Sequence, residues 1–398
     1  MPFSELDLEH SVLAACALAP AGADLSGMLA RIGGGGFSWD RVLASAANHR
    51  IRPQLAAQTR ALGLNATTAG QGAIELAVDA RASQGHGQFL AGALVRALDV
   101  LRAENIVAVP FKGPAFAAFL GTGPGAREMD DLDILVRPAD IANAVQALAP
   151  LGYAPALPAQ VLASHWLTKV TPEFPLMGRS DSILLELHWQ LSPRWYPAPC
   201  VVDDIMARLT ERDFCGCPIR WPGAEELFLV HVADGMKSCG NGMRWIADIA
   251  GILRHHPDLD WDRTRRIATR NGGLNSVRVA LAVADGLASE ASRRCDSPAL
   301  ALSLPPAARA LAEEARHLGR LARAVRSIRE RLQSDTRIAG AADHFKWALQ
   351  LADLPVRVAV EIARYLAGPM VADLAAMPEQ GESDTALRLR ALRRRLSR

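Results

Sequence analysis

Asp131 and Asp133 stand two residues apart in the run Asp131-Leu132-Asp133-Ile134-Leu135-Val136, and Glu186 interrupts the apolar run Leu184-Leu185-Glu186-Leu187. Successive side chains of a strand point to opposite faces, so the two aspartates share one face, about 6–7 Å apart. Like charges at that spacing repel unless something positive sits among them. A divalent cation is the natural occupant, and oxygen-only ligation favours Mg²⁺ or Mn²⁺. Glu186 suits a third ligand supplied by a neighbouring strand. Three carboxylates around two metal ions fit phosphoryl or nucleotidyl transfer: one metal activates the attacking hydroxyl, the other holds the triphosphate of an NTP and the leaving pyrophosphate. On this reading Asp131, Asp133 and Glu186 are both the catalytic residues and the metal ligands. Relief of their repulsion predicts that Asp133→Asn leaves metal-free stability unchanged or slightly raised.

Four further residues are candidates for binding the nucleotide. Gly113 supplies a strand-to-helix turn where a phosphate can approach the backbone, with Lys112 beside it. Arg127 has the geometry to clamp phosphate oxygens. His188 lies two residues after Glu186 and shares its face, placed either to bond a metal-bound carboxylate or the acceptor, or to sit satisfied in the core. Each residue also has a plainer reading. The aspartates could line a solvated strand edge, Lys112 a surface, and Glu186 a wet edge strand. Arg127 could partner Glu128 or Asp130 in its own loop.

The elements around these residues are short. Residues 106–111 are rich in β-branched side chains and read as a strand, residues 115–120 as a helix, and residues 121–125 as a glycine-rich loop. Residues 131–136 form the second strand and 138–151 the next helix, with Pro138 near its start. Strands follow at 169–176 and 183–191, with hairpin-loop residues at 178–181 between them. Helical periodicity dominates on both sides. Before the module it covers residues 40–55 and 66–104, with a break at Gly85 and Gly87. Ser4 and Asp7 resemble a capping pair ahead of the first apolar run. After the module, helices are expected at 224–236, 243–254, 262–270 and 276–288. Residues 303–306 read as a linker, followed by an Arg-rich helix over 316–337 and helices at 344–351 and 356–367.

Composition removes several function classes. The chain has 398 residues, with 44 Lys and Arg against 42 Asp and Glu, a net charge of +2. That balance argues against a dedicated nucleic-acid coat protein. Half of the residues are hydrophobic and 22% are charged, which excludes a disordered chain. No apolar run reaches about 18 residues; the best candidate, 354–377, is cut by Arg357, Glu361, Arg364 and Asp373. Val12 to Ala19 follows Glu5, Asp7 and Glu9, where a secretory signal would be positive. Cys215 and Cys217 lack a second pair at zinc spacing, and the six cysteines read as reduced thiols. A cytoplasmic location is expected.

The motifs together resemble the bacterial nucleotidyltransferases of the DNA polymerase beta superfamily. That family shows an L-K-G turn, an R-x-M-x-D-h-D-h-L-V block and a D/E-h-H-W strand. Here these stand as Phe111-Lys112-Gly113, Arg127 to Val136, and Glu186-Leu187-His188-Trp189. The resemblance extends to Arg244-Trp245-Ile246-Ala247-Asp248 and covers about residues 70–290. Pro114 stands where the wider superfamily carries serine. The resemblance implies a minimal nucleotidyltransferase sheet with Asp131, Asp133 and Glu186 as ligands, and an acceptor that is a small molecule or a peptide.

The expected fold is α+β: a small mixed-sheet core over 106–200, embedded in helical regions over 1–105, 201–302 and 303–398. The expected function is metal-dependent transfer of a nucleoside monophosphate; the alternative is a non-catalytic module of the same fold that binds a peptide or protein. His231 and Asp234, three apart on a helix, read as core plus surface. Trp245 and Asp248 share a helix face that packs or closes the cleft. The arginines of the tail, 388–398, read as a solvated basic face, and their alternative is an RNA or lipid contact.

Overall fold

The computed structural model describes residues 6–20, 22–32, 37–64, 66–156, 171–193, 196–337, 341–353, 355 and 358–359. Expectations for the basic tail, the 356–367 helix and the 354–377 stretch fall almost wholly outside them. The chain is mixed α+β and mostly helical, with one five-stranded sheet and a separate hairpin among the described residues.

The N-terminal helices are α1 (Leu8–Leu18), α2 (Ser26–Ile32), α3 (Trp39–His49), α4 (Arg52–Ala61) and α5 (Ala66–Ala103). Asp7 itself caps α1, accepting from the His10 amide. The helical stretch expected over 40–55 is split: Arg50 adopts a left-handed conformation, φ 56°, and ends α3. By contrast α5 runs unbroken through Gly85 and Gly87. Helix-weakening glycine is tolerated at 87 because the glycine-rich loop of the module presses on it: a Cβ at Gly87 would meet the Pro124 carbonyl oxygen at 2.2 Å. Gly125 returns the contact, since its Cβ would meet Gln84 Cα at 2.3 Å.

The sheet is built from β1 (Val109–Pro110), β2 (Asp131–Leu135), β3 (Tyr153–Pro155), β4 (Glu173–Gly178) and β5 (Leu184–His188), in the order β1-β2-β5-β4-β3. Only β2 and β5 pair in parallel. Helices α6 (Gly113–Phe119) and α7 (Ile141–Leu148) fill the connections from β1 to β2 and from β2 to β3. Leu132, Ile134, Phe174, Leu176, Leu185 and Leu187 alternate with the polar residues and are buried, which commits one sheet face to the core.

The second half comprises α8 (Val202–Met206), β6 (Leu209–Phe214), β7 (Cys217–Pro222), α9 (Ala224–Lys237), α10 (Arg244–His255), α11 (Trp261–Arg270), α12 (Leu274–Arg294), α13 (Pro306–His317), α14 (Gly319–Ser334) and α15 (Ala341–Leu351). The β6–β7 hairpin has no counterpart in the sequence reading. Its turn is Cys215-Gly216, with φ of 55° and 81°, the two-residue geometry that matches strand twist. The lone Cys-x-Cys is thus a hairpin turn, and Cys215 is exposed. Residues 303–306 do not behave as a free linker, because Leu302 and Leu304 are buried where α12 passes to α13. One hydrophobic core runs through the described residues from Leu6 to Val358.

Candidate active site

Parallel pairing of β2 with β5 aligns Asp131 with Leu184, Asp133 with Glu186 and Leu135 with His188. Directly paired residues share a face, so Asp133 and Glu186 stand side by side, with His188 one step along. On the other flank β4 pairs Glu173 with His188, which brings a further acid to the same face. Glu173 carries no signal in the sequence beyond its place in an expected strand.

Gly113 closes the cluster from above. Its φ of 59° lies in the left-handed region, and its backbone passes over the Asp131 carbonyl, 3.5 Å from where a Cβ would sit. The turn sets Lys112 into the acids. Lys112 Nζ is 2.7 Å from Asp234 Oδ1 and 3.6 Å from Asp133 Oδ1. Asp234 reaches in from α9, so it is a member of the cluster and not a surface residue. His188 Nε2 lies 3.0 Å from Asp133 and 3.6 Å from Glu186, and Nδ1 lies 3.4 Å from Glu173. These are ion-pair distances without hydrogen-bond alignment. The Phe111 ring holds the imidazole edge-on at 5.1 Å.

Burial would push the Asp133 carboxyl up, but Lys112 and His188 outweigh it and hold it below the usual carboxylate range. Burial would likewise depress His188, yet Asp133 and Glu186 raise it to about 9. Lys112 is held above its ordinary value against burial by Asp133 and Asp234. Burial and the nearby Glu186 raise Glu173. The positive charge demanded by the paired aspartates is therefore present in the chain itself. Asp133→Asn weakens the partners of Lys112 and His188, so the expectation of unchanged or raised metal-free stability is replaced by a loss.

Arg127 stands apart from both of its expected partners. It is buried, and it grips Asp248 of α10 through Nε at 3.0 Å and Nη2 at 2.9 Å. Glu128 and Asp130 instead pair with Arg50. His231 is buried against Asp248 at 3.5 Å and stacks on Phe116, with ring centroids 3.8 Å apart. Arg244 stands out in the sequence only as the first residue of its motif. It donates to the Glu128 carbonyl at 3.1 Å, and no carboxylate of the described residues lies within salt-bridge distance of it. Burial, Arg127 and Arg50 lower its pKa to about 10.

Asp133, Glu186 and His188 each offer a ligand atom, all within 4.8 Å of one another. Asp131 sits two residues before Asp133 on the same face and is partly exposed. The sheet thus sets Asp133, Glu186 and His188 within ligand distance, with Asp131 on the same face but outside that group; the glycine turn adds Lys112, and Arg127 turns to a different partner. No helix among the described residues is long and apolar enough to cross a membrane.

Comparison with known proteins agrees with the motifs. A family model described as uncharacterised nucleotidyltransferase matches residues 35–289, well over half of the chain. No curated protein matches. Among solved structures, the solution structure of the antibiotic-resistance factor ANT(2'')-Ia is similar at 14% identity, over 46% of this chain and 91% of that one, with a TM-score of 0.33. The chain belongs to the family of uncharacterised nucleotidyltransferases.

Proposed function

We propose that the protein moves a nucleoside monophosphate from an NTP to a small-molecule or peptide acceptor, with Asp131, Asp133 and Glu186 holding divalent metal. The observation that carries this reading is the in-register pairing of Asp133 with Glu186 beside Lys112. The donor set fits such an ion: two buried carboxylates suit Mg²⁺, and the adjacent imidazole widens the choice to Mn²⁺. Bound metal supplies charge stabilisation at the phosphates and a lowered pKa for an acceptor hydroxyl.

The chain's own residues do the positioning. His188 orients the Asp133 and Glu186 carboxylates from beneath. Lys112 is shared between Asp133 and Asp234, and its ammonium would meet a phosphate oxygen of an NTP bound beside them. Arg127 braces α10 through Asp248, and Arg244 is the guanidinium available to a triphosphate. In this reading residues 106–200 are the catalytic core, and helices of 201–302 complete it through Asp234 and Arg244. Six thinly spread cysteines support a reducing compartment such as the cytoplasm.

The test is to incubate the protein with each α-³²P-NTP, Mg²⁺ or Mn²⁺ and candidate acceptors, alongside melting curves. Ligands that bind only the folded state add roughly 2.7 kcal/mol at a hundredfold excess over Kd. Wild type should gain stability with metal and one NTP and label an acceptor. Asp133→Asn should lose both, with transfer reduced on the order of a hundred- to a thousandfold. Stabilisation by an NTP with no labelled product under any condition would favour the non-catalytic module. No response to any NTP would remove the proposal.

A further inference from the structure

A second group of ligating side chains is built from elements that give nothing to the carboxylate cluster. His10 lies on α1, His49 on the last turn of α3, and Asp335 caps α14 in the left-handed conformation, φ 53°. Both histidines are buried and Asp335 is partly buried. His49 Nε2 lies 2.9 Å from Asp335 Oδ1, and His10 Nε2 lies 3.5 Å from the same oxygen. One ligand atom from each residue falls within 4.8 Å of the other two. A tetrahedral zinc ion with bonds of about 2.0–2.1 Å spaces its ligand atoms about 3.3–3.4 Å apart. Small side-chain shifts would bring these three atoms to that spacing.

Two observations favour a cation here over a self-contained hydrogen-bond network. First, Asp7 Oδ1 lies 2.7 Å from His10 Nδ1. Accepting the Nδ1–H fixes the tautomer and leaves the Nε2 lone pair facing Asp335, the usual carboxylate support of a metal-bound histidine. Second, the donors among them fall short of the acceptors: His49 Nε2, also 3.1 Å from the Leu332 carbonyl oxygen, has at most one proton for that oxygen and Asp335. Ser45 Oγ lies 2.6 Å from both Asp335 oxygens and 3.2 Å from His10 Nε2, but it has one proton. A lone pair and a carboxylate that face each other in a buried site need positive charge between them.

We propose that His10, His49 and Asp335 bind one Zn²⁺, with the fourth position beside Ser45 taken by its hydroxyl or a water. Two neutral imidazoles and one carboxylate form a borderline N/O donor set that suits zinc, unlike the oxygen-rich active site. The ion ties α1 and α3 to α14, which lie far apart along the chain. It also bears on the active site through the next residue: Arg50 follows His49 and pairs with Glu128 and Asp130, just before β2. The proposal does not depend on the nucleotidyltransferase reading.

The test uses the full chain, untagged, stripped with a chelator and reloaded with Zn²⁺ or Co²⁺. Wild type should retain one equivalent of zinc after desalting, show the visible bands of tetrahedral Co²⁺, and melt higher in proportion to log[Zn²⁺]. His49→Gln and Asp335→Asn should lose the retained metal, whereas Asp133→Asn and Glu186→Gln should keep it. Asp7→Asn should bind the same amount about 10–100-fold more weakly. If His49→Gln fails to fold, Asp335→Asn and Asp7→Asn carry the comparison, because both alter partly exposed acids. The proposal is overturned if no zinc is retained, if retention survives Asp335→Asn, or if it is lost in Asp133→Asn instead. A cluster stabilised by acid alone, with no zinc response, would show that a proton supplies the positive charge and would also overturn it.

Discussion

Two buried charge clusters lie close together in this protein, and they are built on opposite principles. In the first, Arg127 and Asp248 meet through two parallel hydrogen bonds, one cation to one anion, deep between the loop before β2 and α10. Burial and Arg127 keep the adjacent His231 below its ordinary pKa, so it adds no charge of its own. In the second, Asp133, Glu186, Glu173 and Asp234 surround Lys112 and His188, and Asp131 stands at the partly exposed margin. Acids outnumber bases, and the contacts are uneven, from 2.7 Å for Lys112 with Asp234 to 3.6 Å for Lys112 with Asp133. A closed, balanced pair serves to hold elements together. An acid-rich cluster with one member in reach of solvent is suited to exchanging its cations, which is what a metal and triphosphate site must do.

The largest expected effect breaks the closed pair. Asp248→Asn leaves a buried guanidinium uncompensated and should cost about 3–5 kcal/mol of stability by urea denaturation. Replacing both partners, as in Arg127→Met with Asp248→Leu, should recover much of that loss. If the single and double variants are equally unstable, the pair is not acting as a closed unit.

A pH titration of the metal-free protein should separate the clusters next. His188 is raised from about 6.5 to about 9. Its contribution is therefore fully present below pH 6.5 and lost as pH rises through 9. Asp248 is depressed below its ordinary range, against burial, by Arg127 and His231. Its contribution is present above about pH 4 and lost as pH falls. Urea midpoints of wild type should thus decline between pH 6.5 and 9, and His188→Gln should flatten that decline while leaving the acid limb intact. An unchanged slope in His188→Gln would show that the imidazole does not carry the charge assigned to it.

The smallest effect concerns Arg244, a cation placed among cations. Arg244→Gln should leave stability within about 0.5 kcal/mol of wild type. It should nevertheless weaken the NTP-dependent melting shift by about tenfold in apparent Kd, the worth of a charge-assisted hydrogen bond. Full NTP affinity in this variant would assign the triphosphate to Lys112 alone.

The parts of the site that lie on strands were visible in the sequence because strand periodicity fixes direction. Asp131 with Asp133, and Glu186 with His188, are pairs two residues apart, so each pair had to share a face. The glycine turn was visible because few residues accept its backbone angle. The helical contributors were not visible. Asp234, Asp248 and Arg244 sit on helices whose facing is chosen by packing against the sheet, and Asp234 was read as surface for want of a sequence mark of its partner Lys112. Arg127 reads as a phosphate clamp or, more plainly, as a partner of near neighbours, whereas the carboxylate it grips lies 121 residues away. Local pattern also misjudged α5, where glycines suggest a break but instead permit close contact with the 123–125 loop, and it missed the β6–β7 hairpin, whose first strand is mostly exposed and polar.

The parallel pairing of β2 with β5 has a consequence for how the site is assembled during synthesis. The β4–β5 hairpin closes through a short loop, a local and therefore fast event that gathers Glu173, Glu186 and His188. The strand bearing Asp131 and Asp133 leaves the ribosome much earlier but cannot join this hairpin through a tight turn; it must wait for a long-range docking step. Asp234 and Arg244 are synthesised later still. The acid cluster is then complete only after α9 and the start of α10 have been made, and a shorter chain lacks the assembled face.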